Sequence, residues 1–148
     1  MVGLPCSGKT TRAKQLEKQY NALRLTPDAW HLKLFGQDAV SKYHDKNHFV
    51  IESIMWDHAA RVLKLGVDVI LDFGFWAKEE RDNFRQRAKK LGVNFKIHFM
   101  DVPVKELYKR LEKRNKKASD STFIIPKEEM DKYINIFQSP TREELAEN

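Results

Sequence analysis

The sequence predicts an α/β fold, a parallel sheet flanked by helices, and two observations predict it. Short β-branched or aromatic runs alternate with stretches of helical periodicity, and crossovers between parallel strands are right-handed and lay helices on the faces of the sheet. The second observation is "GLPCSGKT" from Gly3 to Thr10. It fits the pattern G-x-x-x-x-G-K-[ST], which joins a buried strand to a helix. With 148 residues, 41% of them hydrophobic, the chain has enough for one packed core and reads as a single domain over 1–148.

The elements follow in order. Thr10 to Tyr20 carries Ala13, Leu16 and Tyr20 at helical spacing, so a first helix opens directly from the glycine loop. "ALRL" is a short strand. In "TPDAW", Thr26 is the expected cap and Pro27 the first helical residue, with Gly36 as the stop. A loop rich in lysine and histidine is expected next. From Phe49 to Leu65 the apolar residues Val50, Ile54, Trp56, Ala60, Leu63 and Leu65 recur mostly every three or four positions, predicting a helix ended by Gly66.

"VDVILDF" is the next strand, and a charged helix from Lys78 to Leu91 stops at Gly92. "VNFKIHFMDV" reads as a further strand by its alternation. Pro103 starts a helix that runs to Asn115, "NKKASDSTFIIP" is a flexible loop, and Pro126 to Phe137 is the last helix. The tail 138–148 is expected to fray. Only Met1 and Val2 precede the glycine loop, where the pattern normally has a full strand, so upstream residues are expected to supply it.

Net charge is +6 and the pI is near 9.4, which fits an anionic partner: a nucleotide, a phosphorylated metabolite or nucleic acid. One cysteine, Cys6, excludes an internal disulfide framework, and no leader pattern is evident, so the expected location is cytoplasmic. The most apolar stretch, Val67 to Trp76, is broken by Asp68 and Asp72 and is far too short to span a bilayer. No membrane association is expected.

The glycine loop carries the chemistry. Its successive backbone N–H groups form an anion nest, and the helix behind it points its positive end into the same place. Gly3 and Gly8 permit backbone angles that a side chain would obstruct, Pro5, Cys6, Ser7 and Thr11 complete the cradle, and Lys9 reaches the β and γ phosphates. Thr10 offers its hydroxyl to Mg²⁺. Cys6, inside the nest and near Lys9, reads first as a residue filling a variable loop position, with a thiolate favoured by the N–H dipoles and Lys9 as the alternative. Asp72 ends an apolar strand where a carboxylate can hold Mg²⁺ or its water. Asp101 ends the other long strand and is expected to help cap a helix. Arg110 and Arg114, four apart, share a helix face. Guanine recognition is not expected, since "NKKA" at Asn115 to Ala118 lacks the aspartate of N-K-x-D, and a transporter-type ATPase would need its own signature motif and a longer chain. A small phosphotransferase remains.

"GLPCSGKTT", "RLTPDAW", "VDVILDFGFW" followed by "ERDNFRQRAKKLG", and "MDVPVKELYKRLEKRN" together resemble the small AAA-type P-loop kinases, in order and over most of the chain. That family is similar in core to polynucleotide 5'-kinases, chloramphenicol phosphotransferases and zeta-toxin kinases. The resemblance implies a P-loop NTPase three-layer sandwich with strand order 2-3-1-4 and a small helical lid around 110–126. It further implies ATP, Mg²⁺ and transfer of the γ-phosphoryl to an acceptor hydroxyl. By the same resemblance Asp28 faces that hydroxyl; because the transition state is largely dissociative, orienting the hydroxyl matters more than removing its proton early. "RLEKR" resembles a lid arginine pair, with Arg110 against adenine and Arg114 on the transferred phosphate, unless both belong to a solvated basic face.

Trp30, His31, Phe75 and Trp76 lie in sequence beside Asp28 and Asp72 and could line an acceptor pocket, core packing being the alternative; Phe73 reads as core. "HDKNH" places His44 and His48 at i, i+4, but no third ligand is apparent, so zinc is not expected and a solvated or substrate-facing helix start is. Two other functions stay open. The basic charge permits a polynucleotide 5'-hydroxyl kinase, though no separate RNA-binding module is visible, and an ATP-hydrolysing switch or adaptor would need no acceptor. The sequence names neither the acceptor nor the oligomeric state.

Overall fold

The computed structural model describes residues 1–117 and 122–146. Its elements are α1 (Lys9–Tyr20), β1 (Leu23–Leu25), α2 (Pro27–Phe35), α3 (His44–Lys64), β2 (Val69–Leu71), α4 (Lys78–Leu91), α5 (Val104–Lys116), α6 (Lys127–Ile136) and α7 (Arg142–Ala146). The result is an α/β chain with a small parallel sheet and several helices, compatible with a P-loop NTPase fold. β1 and β2 pair in parallel, Leu23 opposite Val69 and Leu25 opposite Leu71.

Val2 extends this pairing. It makes parallel bridges to Gly74 on one side and Phe99 on the other. Its amide donates to the carbonyl of His98 at 3.0 Å, and the Met100 amide donates to the Val2 carbonyl at 2.9 Å. "VNFKIHFMDV", expected as a regular strand, is therefore an extended segment with one bridging residue: a ladder is no longer than its shorter partner, and Val2 is the residue that lies beside it. A cavity of about 500 Å³ opens next to this junction, lined among others by Val2, Ile70, Phe84 and Ile97.

Three further differences have local causes. α3 begins at His44, so the expected lysine- and histidine-rich loop supplies the first turn of that helix. Thr26 occupies the N-cap of α2 without a side-chain cap bond; its hydroxyl accepts instead from Arg24. The tail predicted to fray contains α7, and Glu144 there is 3% exposed, ion-paired with Arg81 of α4. Of the lid expected around 110–126, residues 118–121 lie outside the described residues.

The core is built where the periodicities put apolar faces. Leu107 and Leu111 of α5 pack with Met130 of α6 and with Phe123 and Ile125 between them. Val2, Phe75, Phe84 and Ile97 form a second cluster, and Leu25 packs with Ile51, Met55 and Ala59 of α3 in a third. Burial of such side chains contributes about 1.5–3 kcal/mol each. Helices α1 and α3 thereby pack against the β1–β2 pair, and α2 packs against α3. Among the described residues no helix is long and apolar enough to cross a membrane.

Candidate active site

The glycine loop is shaped by two residues without side chains. Gly3 sits at φ +145°, and a Cβ there would come within 2.8 Å of Ser7 Oγ and 3.0 Å of the Met100 carbonyl. Gly8, at φ +97°, is the N-cap of α1, and no side chain caps that helix and no acid occupies its first turn. The first-turn N–H groups and the positive end of the helix are thus left for an anion. Cys6 also takes a left-handed conformation, φ +64°. Lys9 curls back over the loop, its Nζ donating to the carbonyls of Gly3 at 2.7 Å and Leu4 at 2.9 Å. Burial pulls its pKa down to about 8, against the attraction of Asp72 and Asp28.

The loop opens on a cleft of about 750 Å³. Pro5, Cys6, Gly8, Lys9, Thr10 and Thr11 line one side, and Asp28, Asp72, Trp76, Arg110 and Arg114 the others. Asp72 follows β2 directly and is 6% exposed, yet neither carboxylate oxygen has a hydrogen-bond partner. Burial pushes its pKa up, while Thr10, Lys9 and the terminal amine pull it down. A buried carboxylate approached by the Thr10 hydroxyl, with no hydrogen bond of good geometry to either oxygen, is a donor set that fits Mg²⁺, which prefers one or two carboxylate or hydroxyl oxygens and keeps its remaining positions for water and phosphate.

Arg114 donates from Nη2 to the Phe123 carbonyl at 3.1 Å and keeps a buried Nε without a partner. Arg110 is exposed at the rim, paired with Glu106 at 2.8 Å, and reaches the Cys6 carbonyl at 3.4 Å. Asp28, in the first turn of α2, stays exposed and lies 3.9 Å from His48 Nε2.

Not every candidate arrives at the cleft. Gly3 and Ser7 are buried beneath the loop and shape it from below; Ser7 Oγ, too, lacks a partner. Trp30 is 43% exposed and absent from the cleft lining, since two residues on from Asp28 it stands on the opposite side of α2. His31 is fully buried and also outside the lining. Phe75 reaches the cleft from within the core, at φ +50°. Trp76 lines it and packs on Tyr133, ring centroids 4.7 Å apart. Phe73, read as core, borders the cleft as well. Burial pushes the Cys6 thiol up, outweighing Arg114 and Lys9, so a thiolate is disfavoured and Cys6 fits the reading of a residue that fills a variable loop position. Asp101 is exposed and the N-cap of α5 is Pro103.

Sequence reasoning missed Glu52, Glu80 and Tyr133, which line the cleft with His44 and His48. Glu80 is pushed up by burial and by the neighbouring Glu52. A signal for Glu52 existed: it is four residues after His48 on α3, and the two lie 3.5 Å apart. The histidine pair meets a third ring, His31, from α2.

Residues 1–140 match the family model of the AAA domain. No curated protein matches the chain.

Proposed function

The chain belongs to the AAA domain family, a P-loop kinase-like family, and on that premise we propose that it is an ATP-dependent phosphotransferase that moves the γ-phosphoryl group to a hydroxyl of a small molecule. The observation that carries the reading is the convergence of Lys9, Asp28, Asp72 and Arg114 on one cleft at the mouth of the glycine loop. Loop amides and Lys9 would bind the β and γ phosphates, with the Lys9 ammonium exchanging its two carbonyl partners for phosphate oxygens. Thr10 and Asp72 would hold Mg²⁺, which supplies charge neutralisation along the triphosphate. Asp28, exposed to the cleft, orients the acceptor hydroxyl in line. Arg114, with an unpaired buried Nε, stabilises charge developing on the transferred group.

The flat walls formed by Trp76 and Tyr133 suit an acceptor with a ring. Arg110 at the rim is placed for the base, and the helical segment that bears both arginines is the lid. The strand order 2-3-1-4 is part of the same proposal, supported by the hydrogen bonds of Val2 with His98 and Met100 on one side and of the Gly3 amide to the Gly74 carbonyl on the other.

The test is a screen with γ-labelled ATP against pooled nucleosides, sugars, aminoglycosides and 5'-hydroxyl oligonucleotides, run with wild type and Asp28→Asn. Transfer to a small molecule, intact ATP binding by the variant and a loss of transfer of about 100-fold or more are expected. Wild-type transfer by Asp28→Asn would remove Asp28 from its role. Label appearing only on oligonucleotides, with binding that weakens steeply in salt, would favour the polynucleotide kinase instead; release of inorganic phosphate alone, with nucleotide-dependent partner binding, would favour a switch.

A further inference from the structure

We propose that His31, His44 and His48 form a binding site for a transition-metal ion of the Zn²⁺ class, joining α2 to α3 beside the cleft. One ring nitrogen from each histidine lies within 4.8 Å of the other two. His31 Nδ1 and His48 Nδ1 are 3.1 Å apart, close to the roughly 3.3 Å that separates two nitrogens bound at about 2.05 Å in a tetrahedral shell. The His31 and His44 rings stack at 4.5 Å and those of His44 and His48 at 5.7 Å.

The remaining nitrogens are what make the cluster a ligand set. His31 Nε2 meets Asp38 Oδ1 at 2.8 Å, and His44 Nδ1 meets the same oxygen at 2.8 Å. His48 Nε2 faces Glu52 at 3.5 Å. Each imidazole thus has a carboxylate to which its second N–H can donate, and this leaves a lone pair on His31 Nδ1, His44 Nε2 and His48 Nδ1. Carboxylate-backed histidines are the usual outer shell of a zinc site, where they set the tautomer and raise ligand basicity. Three imidazoles select Zn²⁺ and its neighbours over Mg²⁺, which takes oxygen.

The surroundings agree. His31 is fully buried, and the edges of Phe35 and Phe123 pack against the cluster with ring centroids 5.2 to 5.4 Å apart. His44 and His48 border the cleft, so the fourth position of a tetrahedral ion would face it and take water. Asp28 lies one turn before His31 on α2; an ion here pins that turn to α3. The competing arrangement has no metal: His48 as an imidazolium donating from Nδ1 to His31.

The experiment uses the full chain without a polyhistidine tag and does not depend on kinase activity. Co²⁺ titration should give the intense visible absorption of a four-coordinate ion at one equivalent, displaced by Zn²⁺, and Zn²⁺ should raise the unfolding temperature. His44→Gln, at a half-buried position, and His48→Gln should each weaken binding by about 100-fold, and Asp38→Asn by about 10–100-fold. His58→Gln, at an exposed position of the same helix, should bind as wild type. Absence of the Co²⁺ band, or wild-type affinity in folded His44→Gln and His48→Gln, overturns the proposal; so does loss of binding in His58→Gln alone, which would mark a surface site.

Discussion

Lys9 carries two demands that oppose each other. Its ammonium must be charged to bind phosphate, yet burial lowers its pKa from 10.5 to about 8. Between those values the unfolded chain holds the proton and the folded chain has released it, so the unfolded state binds more protons and stability rises with pH across that window. The nucleotide-free protein should therefore become harder to unfold as pH increases from 8 towards 10, while its ATP affinity falls as the ammonium is lost. Urea unfolding and calorimetry over this range would measure the two slopes. In Lys9→Met both slopes should flatten and ATP affinity should be low throughout; a stability slope unchanged in the variant would assign it to another group.

At the scale of elements, one buried side chain gathers the turn from β2 to α4. Arg81, 1% exposed, pairs with both oxygens of Glu144 at 2.7 and 3.2 Å. It also donates to the carbonyls of Phe75 at 3.1 Å, Trp76 at 3.3 Å and Gln138 at 2.8 Å. These bonds fasten a strained turn, with Gly74 at φ +108° and Phe75 at φ +50°, against α4 and α7. Truncating one partner leaves a buried carboxylate uncompensated, so Arg81→Ala should cost about 3–5 kcal/mol of stability in urea unfolding. Arg81→Lys should recover only part of that, because an ammonium cannot reproduce the planar fork. A cost below about 1 kcal/mol for the alanine variant would mean that the pair is solvated in solution.

For the whole molecule, the same pair ties residue 144 to residue 81 and gives folding an acid limb. The hydrogen bonds from Arg81 hold the Glu144 carboxyl below its ordinary value of 4.5. A depressed carboxyl stabilises the fold above its unfolded pKa, and that contribution is lost as pH falls through the folded value. The Glu144 contribution should be constant above about pH 5 and drop below about pH 4.5, and Glu144→Gln should be less stable at neutral pH with a shallower acid limb. An acid limb identical in the variant would locate its origin in other carboxylates.

What the sequence determined alone is local. Periodicity and stop residues marked all the helices from α1 to α6, α4 with its bounds from Lys78 to Leu91, because these signals lie within a few residues of one another. The glycine loop was legible for the same reason: its eight residues carry nest, lysine and hydroxyl in fixed spacing. Tertiary structure decided the rest. It set His31 against His44 and His48, brought Glu52 and Glu80 to the cleft, left Trp30 outside it and buried Glu144 on Arg81. Each of these depends on how two helices rotate when their apolar faces pack, a quantity no short window of sequence contains.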